Sequence, residues 1–138
     1  MRPNALKTIL RLRKLDRDAA QRCFADARLL EDAATEARIQ AERALIDEML
    51  CAGQTDETTT PRLAMMDWLP IGRVNIETQR QAEATASTSA YQAREHLIGH
   101  QVGLAAVEII EATRRIALQE RLHKAEMAMI HEASLRRS

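Results

Sequence analysis

Large aromatic side chains are almost missing from this sequence: its 138 residues include one Trp, one Tyr and one Phe. Much of the 46% hydrophobic content is alanine. Alanine buries little area, so the expectation is an elongated bundle with a narrow core, not a sphere built around bulky fillers. An excess of charge of either sign is missing too. Twenty Lys and Arg offset twenty Asp and Glu, which argues against bulk electrostatic attraction to nucleic acid or an anionic membrane. Long hydrophobic runs are absent. The longest, Val102 to Ile110, is short and contains Glu108, so no membrane insertion is expected. With no charged-then-apolar leader at the start, the expected location is cytoplasmic. No Gly-rich phosphate loop, nucleophile elbow or cysteine pair occurs, and neither catalysis nor a cofactor is expected.

What is present is a heptad pattern. Ala20, Cys23, Ala27, Leu30, Ala34, Ala37, Ala41 and Ala44 recur at alternating three- and four-residue steps, and Cys51 follows after Glu48 interrupts. This is the a/d spacing of a coiled coil, sustained over about four heptads. Alanine knobs let two helix axes approach closely, so the seam demands a partner helix along its length. Cys23 and Cys51 lie on one predicted helix, roughly 42 Å apart at helical rise. No disulfide spans that distance. They are expected as buried, reduced thiols, with an intermolecular disulfide as the alternative.

The chain punctuates itself in order. Pro3 and Asn4 sit where a first helix begins, and the expected helix covers about 4–52. Residues 1–17 carry Arg2, Lys7, Arg11, Arg13, Lys14 and Arg17 against Asp16 alone, while residues 26–57 carry nine carboxylates against Arg28, Arg38 and Arg43. One end is therefore basic and the middle acidic. The basic stretch lacks interleaved aromatics, so it reads as a solvated helix face and no nucleic-acid partner is expected. Gly53 ends the first helix, and a connector over 53–74 follows. Thr60 and Pro61 open a short helix, 62–69, closed by Pro70 and Gly72. Met65, Met66 and Trp68 on it either cap the fold or form an adaptable docking tip.

A second helix is predicted over about 75–136, with Asn75 as its N-cap and a break possible near Ser87 to Ser89. Ile98, Val102, Ala105, Ile109, Ala112 and Ile116 keep the a/d rhythm and are the expected cover for the alanine seam. Leu118, Leu122, Ala125 and Met129 continue it with a shift of phase. Gly99 and Gly103 share a face and suggest close backbone approach or a joint. The fold class is thus all-α, a long antiparallel two-helix coiled-coil hairpin in one domain with a short helix in its connector. Its fold-back is expected to set Leu6 near Arg121, with the second helix overhanging beyond residue 124.

Chemistry-bearing constellations are few. His96 and His100 have metal-sharing i, i+4 spacing but offer no clear third ligand. Glu120-Arg121-Leu122-His123 supplies one Glu-x-x-His where a di-iron bundle needs two. No metal is expected at either.

The opening Leu6-Lys7-Thr8-Ile9-Leu10-Arg11-Leu12-Arg13, the long alanine- and glutamate-rich first helix, the central break and the Arg-ended second helix resemble the FliJ family of flagellar export proteins. YscO-type proteins of virulence type III secretion share that organisation. The resemblance implies a non-catalytic stalk whose end carrying both termini enters a hexameric export ATPase. It also implies contacts with the export gate and substrate chaperones, and peripheral association with a membrane apparatus through protein contacts. Carried onto this chain, the ring-facing residues are Leu6, Ile9, Leu10, Arg13 and Arg17 with Arg121, Lys124, Arg136 and Arg137. Met65, Met66 and Trp68 are then the gate-facing tip. The competing class is a homo-oligomeric structural or adaptor coiled coil unrelated to export, using the seam between chains.

Overall fold

The computed structural model describes residues 2–54 and 59–137. They form two helices, α1 (Pro3–Gln54) and α2 (Thr59–Arg137), with no strand among the described residues. The fold is all-α, with the two long helices paired antiparallel as a hairpin.

Local chemistry accounts for the helix bounds. Pro3 takes the first helical position, where its missing N–H costs nothing. The Arg2 carbonyl accepts from the N–H groups of Ala5 at 3.0 Å and Leu6 at 3.2 Å. The cap is therefore at Arg2, and Asn4 lies inside the helix with its carbonyl accepting from Thr8 Oγ1 at 2.9 Å.

The connector differs from expectation. The short helix at 62–69 is not a separate element; it is the opening of α2, which runs on through Pro70 and Asn75. A proline inside a helix removes one ladder bond, here to the Met66 carbonyl. Pro70 and Met66 are both exposed, so the freed carbonyl sits on a wet face. Gly72 does not close the helix either: it is buried, and a Cβ built there would lie 2.8 Å from the Trp68 ring. The glycine is the space that the indole fills. The threonine-rich run at 55–58 and the Met65 side chain lie outside the described residues. No break occurs near Ser87 to Ser89, where the helix is continuous. Hydroxyls in this polar stretch bond back to their own helix, as when Thr88 Oγ1 donates to the Ala84 carbonyl at 3.0 Å.

The chain divides into two compact units. One holds Ala20–Leu97. Its α1 seam runs Ala20, Phe24, Ala27, Glu31, Ala34, Arg38, Ala41 and Leu45, all buried or half-buried. On α2 the facing positions step in the same rhythm, with Ile76 and Ala90 buried among them. Of the expected seam, Ala20 and Ala41 are buried and Ala27, Ala34 and Ala37 half-buried. Cys23, Leu30 and Ala44 are exposed, Leu30 by 68%, and Phe24, Glu31 and Leu45 one residue on are half-buried instead. The reason is size and pairing. Phe24 and Leu45 fill more space than Cys23 and Ala44, and Arg38 finds carboxylates in the interface.

The other unit joins the start of α1, through Ala19, to α2 from Ile98 onward. Leu6 and Leu104 are its buried residues, with Ile9, Leu10 and Val107 half-buried beside them. Here the expected cover stripe is turned outward: Ile98, Val102, Ala105, Ile109 and Ile116 are exposed, and only Ala112 is half-buried. Leu6 and Lys7 share a groove with Glu111, Arg114, Arg115 and Leu118, so Arg121 is not the residue opposite Leu6. The earlier start of α2 shortens the connector and draws the facing residues back toward position 111. From Thr113 to Arg137 every residue of α2 is exposed.

Two glycines on α2 differ in kind. A Cβ at Gly103 would meet Arg13 Nη1 at 3.3 Å, so here the close approach is real, while at Gly99 nothing lies within 4 Å. Gly99→Ala is expected to stabilise the fold by about 1 kcal/mol through helix propensity alone. Gly72→Ala carries the same propensity gain but must displace Trp68, changing its fluorescence. Urea unfolding with tryptophan emission checks both, and a Gly72→Ala protein with unaltered emission would contradict the packing described.

Candidate docking surface

Two side-chain clusters stand out, and they differ in purpose. The first crosses the helices in the Ala20–Leu97 unit. Arg38 on α1 reaches over to α2, its Nε donating to Glu83 Oε2 at 2.8 Å, while its Nη1 donates to Glu42 Oε2 at 3.0 Å. Arg80 on α2 returns the contact, Nη2 to Glu42 Oε1 at 3.2 Å. The four charges alternate in sign, and each carboxylate answers a guanidinium on the facing helix. Glu83 is held below the usual carboxylate range, first by the hydrogen bond from Arg38, then by one from Thr35 and by the Arg38 charge; partial desolvation opposes the shift. The same bond to Glu83 is the main cause raising Arg38. All four groups are spent on one another, so the cluster is a clamp and not an acid–base pair awaiting a substrate.

The second cluster lies in the unit containing Leu6 and Leu104. The α2 face that meets α1 carries Leu104, Val107 and Glu111, and two further helical turns bring Leu118 onto the same face. Leu122, Ala125 and Met129 follow at steps of four, three and four. All four are exposed, Leu122 by 61% and Met129 by 70%. Leu118 still borders the groove that holds Leu6 and Lys7; from Leu122 the stripe runs on exposed, and Arg121 and Lys124 beside it are exposed as well. Next to it a shallow groove is floored by Leu10 and Leu15 and edged by Lys7, Arg11, Lys14 and Glu111.

Of the ring-facing residues inferred from the resemblance, Leu6, Ile9 and Leu10 are committed to packing. Arg13 lies against Gly103, and Arg17 pairs with Asp18 at 2.8 Å. Arg121, Lys124, Arg136 and Arg137 are exposed, with Arg136 near Glu132 at 3.4 Å. At the tip, Met66 is exposed and Trp68 half-buried against Gly72. Cys23 and Cys51, expected to be buried, are both exposed. Among the described residues no three His, Cys, Asp or Glu side chains gather as a metal site requires, and no helix is long and apolar enough to cross a membrane.

Sequence reasoning missed Phe24, Glu31, Arg38 and Glu83 as seam members. A search for apolar residues passes over Glu31, Arg38 and Glu83, and the Arg38–Glu83 contact joins residues forty-five apart with no local signal, while Phe24 stands next to the Cys23 that the apolar rhythm selects.

No family model matches the chain, and no curated protein or solved structure shows significant similarity to it.

The depressed Glu83 carboxyl ties stability to pH. Because its folded value lies below its unfolded one, its contribution is complete above the ordinary carboxylate range and is lost as pH falls through the folded value. Glu83→Gln is therefore expected to flatten the acid limb of a melting-temperature profile, from the ordinary carboxylate range downward. A variant whose profile parallels that of the native chain would remove Glu83 from the clamp.

Proposed function

We propose that the chain is a non-catalytic stalk of a flagellar or type III protein export apparatus. In this reading it binds a hexameric export ATPase through the end that holds the first turns of α1 and the uncovered tail of α2. The observation that carries the reading is the exposed α2 face of Leu122, Ala125 and Met129, which repeats the pairing rhythm beyond the groove that Leu118 shares with Leu6. A helix that exposes such a stripe beside Arg121 and Lys124 is suited to a partner with an apolar and acidic surface.

The resemblance in the opening residues supplies the identity of that partner. A non-catalytic protein promotes another's ATPase cycle when it contacts one arrangement of the ring's subunits better than the others. An extended helical face with cations along its edge provides contacts that can differ between arrangements. Export gate and substrate chaperones are the further partners in this reading. The exposed Met66 and the Trp68 region face the gate, and association with the membrane apparatus is peripheral and through protein. The alternative class, a homo-oligomeric adaptor coiled coil, draws on the outward apolar face of α2.

The test uses the hexameric export ATPase of the same organism, with turnover measured against added full-length chain. Leu122→Glu combined with Met129→Glu is expected to reduce stimulation by at least about tenfold, as loss of central apolar contacts does at protein interfaces. Both positions are exposed, so circular dichroism should remain unchanged. Full stimulation by this folded variant would rule out the α2 tail as the docking element.

A further inference from the structure

On the nearly opposite face of α2 from the seam, Ile98, Val102, Ala105, Ile109, Ala112 and Ile116 make a second a/d stripe. Ile109 and Glu111 show the separation: two residues apart, they point roughly 200° from one another around the helix. Most of this stripe is open among the described residues: Val102, Ile109 and Ile116 are 64%, 67% and 53% exposed, and Ala112 is half-buried. We infer that it is a self-association surface, pairing antiparallel with the same stripe of a second copy of this chain.

The residue sizes specify the occupant and its direction. Counting Val102, Ile109 and Ile116 as a positions places Ile98, Ala105 and Ala112 at d. From 102 to 116 every large branched residue therefore sits at a and the intervening d positions are small, with Ile98 lying outside the layers formed by residues 105–116. In a parallel pair, a meets a and d meets d. Crowded Ile–Ile layers would then alternate with open Ala–Ala layers. In an antiparallel pair, a meets d. Ile109 then faces the second copy's Ala112, Ile116 faces its Ala105, and the two-fold axis repeats both layers. Four consecutive mixed layers fill evenly, as facing large and small side chains do.

Charge selects the same register. In that alignment Glu108 of each copy lies beside Arg115 of the other, once on each side of the axis, and Ala106 and Thr113 flank the opposite edge without charge. Shifting by one heptad, to set Ile109 on Ala105, would bring the two Glu108 side chains together. Like-charge juxtaposition of this kind disfavours the alternative. Arg115 is open for the contact: its side chain is 61% exposed and its nearest carboxylate, Glu111, is 4.0 Å away. This surface is distinct from the Leu118, Leu122, Ala125 and Met129 face, and it does not depend on the export reading.

Sedimentation equilibrium on the full chain from about 1 to 100 µM, the range in which modest interfaces associate, tests the inference. The expected result is a reversible dimer of twice the 15.5 kDa chain mass. Ile109→Glu with Ile116→Glu should give a monomer of unchanged helicity. Glu108→Arg should weaken dimerisation at least about tenfold by setting arginines against each other, and adding Arg115→Glu should restore it. Within one helix positions 108 and 115 are not neighbours, so the rescue reports on the intermolecular register. A wild type that is monomeric throughout would overturn the inference and leave the stripe to a different partner. A dimer indifferent to the isoleucine substitutions, or a charge swap without rescue, would overturn the surface or its direction.

Discussion

The Arg38 guanidinium sits in the interface between α1 and α2, and its need for carboxylates governs how the helices meet. Glu83 lies 2.8 Å from it on the facing helix and Glu42 3.0 Å from it on its own. A charge partly withdrawn from water is tolerated only when its hydrogen bonds are met. That condition fixes the rotational phase of α1 within the Ala20–Leu97 unit. Phe24 and Leu45 turn inward with Arg38, and Cys23, Leu30 and Ala44 turn out.

In the unit containing Leu6 and Leu104, much of the branched apolar content lies outside the pairing. On α2, Ile98, Val102, Ile109 and Ile116 face solvent while Leu104 and Val107 serve the pairing. The helix therefore carries two apolar faces and fills only one of them within the chain. Beyond residue 113 even the first face is uncovered. A helix with this distribution is built to have neighbours, and the export-stalk proposal and the self-association surface each assign one face.

Much of the architecture was legible in the sequence because it depends on strong, local signals. Gly53 near the end of α1, Pro3 at its start and the uninterrupted rhythm beyond Asn75 locate two long helices without further help. The alanines at 20, 27, 34 and 41 were correctly read as inward. The connector was misread because Pro70 and Gly72 usually stop helices, whereas Pro70 lies on an exposed face and Gly72 gives up its side-chain volume to Trp68. The second half of the seam was misread because hydrophobic pattern recognition favours Leu30 over Glu31 and overlooks Arg38, whose place depends on Glu83 forty-five residues away. Long-range pairing of charges leaves no periodic trace. The candidate docking face was partly visible as the phase-shifted stripe from Leu118 to Met129, but its exposure from Leu122 onward depends on the register in which α1 meets α2.

The rotational phase of α1 within the Ala20–Leu97 unit is the claim on which the clamp rests, and Cys23 reports it directly. In a Cys51→Ser chain, the rate at which Cys23 reacts with a soluble aromatic disulfide measures its exposure under native conditions. The account predicts that Cys23 reacts within about threefold of the rate in the urea-unfolded chain, because it lies on the outward face and its reactivity follows access. Reaction slowed by a hundredfold or more, roughly 2.7 kcal/mol of protection, would place Cys23 in the seam. Arg38 would then be turned out, and the clamp described for the Ala20–Leu97 unit would be the wrong one.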